Sequence, residues 1–203
     1  MDTRDSDGHP LQTRRRGQTL EGAILSAALE ELVERGYERS TMEGIAERAH
    51  TGKSSLYRRW QTKWQLVLDA LVNALPRVDD EPPEFGSLRE DLMYLLVRMT
   101  RGLEQPAGRI LRSMIVEGRP PELVAVLDKH LIQPRIQLIV AAMRRAADRG
   151  EISVASPVLL ISQVGPAMIM HQQLLRGSAL SDDDIAEIVD LVIFPALLAS
   201  STK

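Results

Sequence analysis

Two short helical segments separated by a tight break restrict the fold of this chain more than any other feature of its sequence. The spacing of apolar residues predicts one helix over 41–49 and another over 53–60, which leaves residues 50–52 for the connection. Alanines on the first segment permit a close approach, and Ile45 and Leu56 can fill the space between the two helices. The pattern predicts a helix-turn-helix, in which the second helix is free to present its polar side to DNA.

Apolar residues recur at intervals of three and four along most of the chain, and no segment shows the alternation of a strand. We therefore predict an all-α fold with about nine helices. Capping-box patterns at 40–43, 62–65 and 87–90 mark three helix starts, and kinks are expected at Pro134 and Gly165–Pro166. The predicted helices are 19–35, 41–49, 53–60, 62–75, one that begins after Ser87, 107–117, 121–148, 156–176 and 182–198.

Composition divides the chain into an N-terminal and a C-terminal part. Residues 1–16 are polar and are predicted to form a flexible leader. Residues 17–75 carry the helix-turn-helix and the helices around it. The acidic, proline-rich stretch PRVDDEPPEFG at 76–86 is predicted to be a linker. Residues 87–199 then contain enough apolar sequence to build a second helical bundle with its own core.

Positive charge is concentrated in one segment of a chain whose net charge is −3. Residues 48–68 contain five basic side chains and no acidic one. A uniformly basic chain would suggest unspecific coating of nucleic acid. A local cluster on a helix-turn-helix instead indicates a defined surface for phosphate or base contacts.

Several classes of site are excluded or disfavoured. The chain has no Cys, which excludes disulfides, thiolate metal sites and Cys nucleophiles. Its His residues lack metal-ligand spacing on a helix, and no catalytic grouping or phosphate loop is evident. We therefore expect no metal, no cofactor and no enzymatic activity. Without a secretory signal or an apolar run of membrane-spanning length, we expect a cytoplasmic protein with no membrane partner.

The stretch TMEGIAERAHTGKSSLYRRWQTKWQL at 41–66 resembles the DNA-binding signature of the tetracycline-repressor (TetR) family of bacterial regulators. Three positions depart from the family pattern: His50 stands where Gly is preferred, Gly52 replaces a Ser cap, and Trp64 replaces an acid. The resemblance implies a sequence-specific transcriptional regulator with an N-terminal DNA-binding domain and a C-terminal effector-binding and dimerisation domain. The matching positions are Thr41, Ile45, Ala46, Ala49, Leu56, Tyr57, Thr62, Lys63 and Leu66, with Trp60 in place of the usual Phe.

The resemblance assigns expected roles within this segment. The exposed side of the second helix would read DNA, because Lys or Arg can bind guanine and Ser can bind either base. Tyr57, Thr41 and Lys63 resemble the family's phosphate contacts, and the alternative for Thr41 is a simple helix cap. The complete set of expected DNA-binding residues is Thr41, Thr51, Gly52, Lys53, Ser54, Ser55, Tyr57, Arg58, Arg59 and Lys63.

Other residues near the motif are expected to hold the second helix in place. These packing residues are Ile45, Ala49, Leu56 and Trp60. The sequence leaves Trp64 open, since it could cover the surface beside Arg59 or Trp60 or approach the sugar-phosphate edge. It also leaves open whether the basic run 14–16 is an arm for the minor groove or a solubilising stretch.

The C-terminal part contains a scattered set of Met residues. They either fill the core or line a deformable apolar cavity for a small effector. The candidate pocket residues are Met93, Met99, Met114, Met143, Met168 and His171. Because each chain has one reading helix, we expect a homodimer on a pseudo-palindromic operator of double-stranded DNA, formed through helices 156–176 and 182–198. A ligand-responsive repressor is the predicted function. The alternatives are an activator of the same family or a helical small-molecule-binding protein.

Overall fold

The computed structural model describes residues 10–75, 84–116, 125–153 and 158–199, with side chains described from Leu20 onward. Helices and turns account for the secondary structure of these ranges, which contain no strand. The predicted all-α class is therefore confirmed. The chain divides into two compact units, Met1–Asn73 and Ala74–Lys203.

The first unit contains four helices. Helix α1 begins at Pro10, well before the predicted start at residue 19, because the prediction followed an apolar stripe that begins only at Leu20. Residues 1–9 of the predicted leader lie outside the described residues. Gly36 interrupts the end of α1 with a φ of 73° and a ψ of 170°, a conformation that glycine adopts without steric cost. The four helices are α1 (Pro10–Arg39), α2 (Met42–Arg48), α3 (Lys53–Tyr57) and α4 (Lys63–Ala74).

The start of α2 differs from the prediction by one residue. Thr41, and not Ser40, is the N-cap, and its Oγ1 accepts a hydrogen bond from the Gly44 amide at 3.0 Å. Ser40 is buried, and its hydroxyl donates to the Tyr37 carbonyl at 2.8 Å. Ser40 therefore serves the end of α1, where carbonyl groups lack helical partners. The adjacent Thr is then left to cap the next helix.

The second unit contains five helices, which brings the total within the described residues to the predicted nine. Ser87 caps the first of them, accepting the Glu90 amide at 3.3 Å as its capping box predicts. The five are α5 (Leu88–Glu104), α6 (Pro106–Val116), α7 (a π-helical turn Asp128–Ile132 followed by Gln133–Asp148), α8 (Val158–Arg176) and α9 (Asp182–Glu187, a π-helical turn Ile188–Ile193, and Phe194–Ala199).

Irregular turns in the second unit coincide with prolines. A π-helical turn directly precedes Pro134 in α7, and another lies immediately before Pro195 in α9. In α8 the α-helix is interrupted at 162–163, one turn before Pro166. Proline lacks an amide hydrogen and its ring collides with the carbonyl four residues earlier, so the backbone must open at that place. The kinks predicted from Pro134 and Pro166 are thus present.

One segment of the described chain, Val158–Arg176, has the length and composition of a membrane-crossing helix, with a mean hydropathy of 1.2. The sequence analysis missed it because polar residues interrupt the apolar run. Two of these, Ser162 and Gln173, are buried within the protein, and the Ser162 hydroxyl donates to the Leu159 carbonyl at 2.9 Å. Length and composition alone are weak evidence for a membrane span, because core helices of other proteins meet the same criteria.

A buried carboxylate fixes the start of α5 in the second unit. Asp91 accepts a hydrogen bond from the Phe85 amide at 3.0 Å and lies 3.8 Å and 3.9 Å from the guanidinium groups of Arg145 and Arg149. Close by, Glu151 accepts the Leu88 amide at 2.8 Å. These contacts attach α5 to the end of α7, although Asp91 Oδ2 and Arg145 Nε are buried with ion-pair contacts and no hydrogen bond.

Candidate nucleic-acid interface and effector cavity

The connection between α2 and α3 is a tight turn built on a residue with positive φ. His50 has a φ of 49°, and the His50 and Thr51 amides donate to the carbonyls of Glu47 and Ala46, each at 3.0 Å. Few non-glycine residues adopt this conformation. Gly52, by contrast, has a φ of −79° and a ψ of 147°, which any residue can adopt. The chain therefore has a strained His in the turn and a Gly two residues later that the backbone does not require.

The residues expected to hold α3 lie in one apolar cluster of the first unit. Ile45 and Leu56 are fully buried, Trp60 is nearly so, and Ala49 packs at the edge of the cluster. Helix α3 ends at Tyr57, earlier than the predicted 60, so Trp60 follows the helix instead of lying within it. Its indole Nε1–H donates to Asp69 Oδ2 at 2.7 Å, which ties the end of α3 to α4.

The outward side of α3 combines exposed cationic, hydroxyl and aromatic groups. Among the expected DNA-binding residues, six are exposed to solvent: Thr41, Gly52, Lys53, Ser54, Tyr57 and Arg58. The other four, Thr51, Ser55, Arg59 and Lys63, are half-buried. Tyr57 keeps 49 % of its surface exposed although it is a large aromatic residue. An aromatic hydroxyl held outward beside two cations is suited to contact a polyanion.

An acidic side chain competes for one of these cations. Lys53 Nζ lies 3.0 Å from Glu43 Oε1, across from the start of α2. The hydrogen bond from Lys53 lowers the pKa of the Glu43 carboxyl. Both partners are exposed, so the pair is weak and can open when a phosphate or a base is offered. Arg59 instead donates to the Ser55 carbonyl at 3.1 Å, which engages its guanidinium within its own helical turn.

Lys63 is placed differently from a simple phosphate clamp. Its Nζ donates to the Tyr37 carbonyl at 2.7 Å and to the Ser40 carbonyl at 3.0 Å. It also lies 4.2 Å from the centre of the Tyr37 ring, in a cation–π contact. Trp64 packs edge-on against the same ring, at 5.7 Å between centroids and 88° between planes. Trp64 therefore covers Tyr37 at the end of α1, a contact that neither of the predicted alternatives included.

A buried ion cluster between α1 and α2 was not foreseen from the sequence. Glu31 is only 1 % exposed, and its Oε2 accepts from Arg48 Nη2 at 3.2 Å. Arg48 also pairs with Glu34, whose hydrogen bond is the main cause of its raised pKa. A side chain at Gly44 would meet the Glu31 carboxylate, which would have to move to make room for it. Arg48 therefore holds the two helices together and is not part of the outward surface. For the basic run 14–16, side chains lie outside the described residues.

The structure does not gather the six candidate pocket residues into one cavity. Met99, Met143 and Met114 are buried, and the first two belong to the main core cluster, against which Met93 packs. Met168 is 40 % exposed and His171 is also exposed. Four of the six therefore pack within the protein, and two face solvent. Among the described residues, no group of three or more His, Asp or Glu side chains could hold a metal ion.

A cavity does lie in the second unit, between α5, α6 and the C-terminal part of α8. Its empty volume is about 230 Å³, including the part that is open to solvent. Much of this volume is open to solvent, and the enclosed part is close to the size of one water molecule. Small-molecule sites usually occupy about 300–1,000 Å³, so a ligand can enter only if the lining side chains move apart. Two polar side chains, Arg112 and Gln173, interrupt an otherwise apolar wall. The lining residues are Leu103, Gly108, Leu111, Arg112, Ile115, Met170, Gln173 and Leu174.

The short helices α2 and α3, the tight turn between them and the exposed cations of α3 define a helix-turn-helix DNA-binding protein. Comparisons with known proteins agree with this class. Residues 24–70 match the family model described as "Bacterial regulatory proteins, tetR family", and residues 82–192 match "Tetracyclin repressor-like, C-terminal domain". The chain belongs to the TetR family, and it is a DNA-binding transcriptional regulator.

Individual relatives carry related descriptions. The chain is 33% identical over 181 residues to an uncharacterised helix-turn-helix-type transcriptional regulator of Mycobacterium tuberculosis, covering 89% of both chains. It is 32% identical over 179 residues to a DNA-binding transcriptional repressor of Mycobacteroides abscessus, covering 88% of this chain and 94% of the relative. Among solved structures, it has the fold of the Bacillus subtilis regulator FadR in complex with stearoyl-CoA (TM-score 0.62, 14% identity, 86% and 96% covered).

Proposed function

We propose that this regulator is a ligand-responsive repressor that binds a pseudo-palindromic operator as a homodimer. The observation that carries the proposal is the outward surface of α3, where Lys53, Ser54, Tyr57 and Arg58 are exposed beside a buried packing face. Repression is supported by the Mycobacteroides abscessus relative, which is described as a repressor. We further propose that the protein acts in the cytoplasm by binding alone, without a catalytic step or a cofactor.

Individual contacts follow from side-chain chemistry. Lys53 and Arg58 are the proposed base-reading residues, with Ser54 beside them, because cationic donors match guanine O6 and N7. Tyr57 is the proposed phosphate contact. For Lys63 we propose a positioning role, since its ammonium already donates to two carbonyls at the α1–α2 junction. Glu43 must release Lys53 on binding, and this sharpens discrimination against sequences that offer Lys53 no acceptor.

The DNA contacts can be tested on sequences selected from a random duplex pool. Fluorescence anisotropy on the selected site should show that Arg58→Ala and Lys53→Ala weaken binding roughly ten- to hundredfold and relax the preferred sequence. Tyr57→Phe should weaken binding to selected and scrambled duplexes alike. Arg101→Ala is the matched control, because it removes the same charge from an exposed ion pair with Asp182 in the second unit. Unchanged affinity in all three α3 variants would contradict the proposed surface.

The homodimer is proposed from apolar side chains left exposed on the last two helices. On these helices, Ile169, Ile188 and Ile193 are buried in the unit's own core. A different set lies outside, with 40 to 74 % exposed surface: Leu159, Leu160, Met168, Leu175, Leu191, Val192 and Leu198. Soluble monomers rarely leave so many large apolar groups on two adjacent helices, so we propose that a second copy covers them.

Sedimentation velocity tests the dimer directly. Leu175→Arg combined with Leu191→Arg should convert the protein to monomers and reduce affinity for a full operator far more than affinity for a half-site. Val33→Arg is the matched control, because Val33 is a similarly exposed apolar residue in the first unit. A dimer that survives the double substitution would place the interface elsewhere.

A further inference from the structure

The cavity between α5, α6 and α8 contains a buried amide with one unpaired donor. Gln173 is 2 % exposed and lines this cavity. Its Oε1 accepts a hydrogen bond from Arg112 Nη1 at 2.5 Å, which fixes the orientation of the amide, because only the oxygen can accept. Nε2 is consequently left without a hydrogen-bond partner. Buried donors are nearly always paired, so this one calls for an explanation.

The backbone around Gln173 is also unusual. Residues Gln172–Arg176 form a π-helical turn at the end of α8, and single π turns within helices occur frequently at functional sites. Unlike the π turns of α7 and α9, this turn is not followed by a proline; Gly177 ends it. The helix is therefore widened at the position that carries the unpaired amide.

The second polar group of the cavity is a guanidinium. Arg112 is half-buried, and no carboxylate of the described residues forms an ion pair with it. A guanidinium has several donors, and the bond to Gln173 uses one. Apolar side chains, among them Leu103, Leu111 and Met170, form the rest of the wall. Two hydrogen-bond donors thus stand at one place in an apolar cavity.

We infer that this cavity binds a small apolar molecule that ends in an acceptor oxygen, with a carboxylate preferred over a neutral carbonyl. Its acceptor receives Gln173 Nε2–H and a donor of Arg112, and its apolar body lies among the Leu and Met side chains. The flexible Met170 side chain can widen the narrow cavity as the molecule enters. This inference rests on the proposed function, in which the second unit takes an effector, and it adds the chemical class and the residues that bind it.

Titration calorimetry with three probes of one chain length tests the class. Octanoate should bind most tightly, methyl octanoate more weakly, and octyltrimethylammonium not detectably, because both donors repel a cation. Octanoate should also shift the side-chain amide resonance of Gln173 in a nitrogen-15 spectrum, assigned by its loss in Gln173→Leu. Equal binding of the cation and the carboxylate, or no binding of any probe, would overturn the inference.

Variants identify the groups that bind. Gln173→Leu should weaken octanoate binding about tenfold, which corresponds to one hydrogen bond lost from a buried site. Gln173→Glu keeps the partner of Arg112 but presents a negative charge, so it should reject octanoate even if Gln173→Leu folds poorly. Arg112→Met should weaken octanoate more than methyl octanoate. Gln172→Leu is the matched control, since the Gln172 amide donates to Ser178 Oγ at 3.2 Å outside the cavity.

Parallel DNA measurements separate this inference from the proposed function. If octanoate binds through Gln173 but leaves operator affinity unchanged, the cavity assignment stands and the ligand-responsive part of the proposed function fails. If no probe binds while operator binding persists, the cavity assignment fails and DNA binding is unaffected. Octanoate binding that is equally tight in Gln173→Leu and Gln173→Glu also overturns the cavity assignment.

Discussion

The hydrogen bond between Trp60 and Asp69 should be worth about 1 kcal/mol to the folded first unit. A bond to a charged acceptor usually contributes about 1.5–3 kcal/mol, and the exposure of Asp69 reduces that value. The two single substitutions do not isolate it. Trp60→Phe also removes buried ring volume, on the order of 1–2 kcal/mol, whereas Asp69→Ala gains a few tenths of a kcal/mol of helix propensity, about 0.5 at most.

A double-mutant cycle removes both complications. Urea unfolding of the wild type, Trp60→Phe, Asp69→Ala and the double variant should give a coupling energy of about 1 kcal/mol. The chain has two Trp residues, and both lie in the first unit, so Trp fluorescence reports on that unit alone. In the Phe variants, Trp64 remains as the reporter.

The same cycle carries a functional consequence. If the bond positions the end of α3, Asp69→Ala should weaken operator binding, although Asp69 is not one of the expected DNA contacts and its loss removes a negative charge. Unspecific electrostatics predict that Asp69→Ala raises operator affinity, because a less acidic protein binds DNA more tightly. A coupling energy near zero, or operator binding that tightens in Asp69→Ala, would refute the reasoning.

Three further predictions concern the same unit. Gly22→Ala should stabilise the first unit by about 0.5–1 kcal/mol, since open space surrounds this helical position. Gly44→Ala should destabilise it by about 1–3 kcal/mol, because the added methyl group displaces the buried Glu31 carboxylate. Fluorescence-detected melting should therefore place the midpoint of Gly22→Ala above that of Gly44→Ala, and the reverse order would contradict both predictions. His50→Gly should raise stability by up to about 1 kcal/mol by relieving the positive φ, and an unchanged or lower melting midpoint would count against it. Lys63→Met should weaken operator binding without lowering its salt dependence, because the Lys63 ammonium donates to carbonyls of the protein itself. A slope of log affinity against log salt that falls by about 0.9 per half-site would instead identify a phosphate contact.

The sequence predicted helices well because their apolar stripes are regular and their stops are Gly and Pro. Its errors occur where neighbouring residues have equal chemistry. Ser40 and Thr41 can both cap a helix, and only the need of the Tyr37 carbonyl for a donor decides which one does. Gln172 and Gln173 are likewise identical in type, yet successive helix positions point in different directions, so Gln172 is half-buried and Gln173 lies in the core.

Long-range pairing explains what the sequence could not predict about the sites. The sequence left open whether the Met residues fill the core or line a pocket, and Met143 and Met99 fill the core. The polar groups that do line the cavity, Arg112 and Gln173, are 61 positions apart and have no shared motif. Lys63 resembled a phosphate contact because the family pattern records residue type, whereas its partners on Tyr37 and Ser40 depend on how α4 crosses the end of α1.

These contacts give α4 a specific role inside the first unit. At its start, Lys63 donates to the carbonyls of Tyr37 and Ser40, where α1 passes into α2. Further along the same helix, Asp69 accepts the indole hydrogen of Trp60, a residue that follows the end of α3. The helix thus holds both ends of the helix-turn-helix, while Arg48 locks α2 to α1 by a separate ion cluster. Because these bonds couple α4 to both ends of the helix-turn-helix, we expect a displacement of α4 to move α2 and α3 with it. An effector could then regulate such a reading head by moving it relative to its partner copy, without deforming the surface that reads DNA.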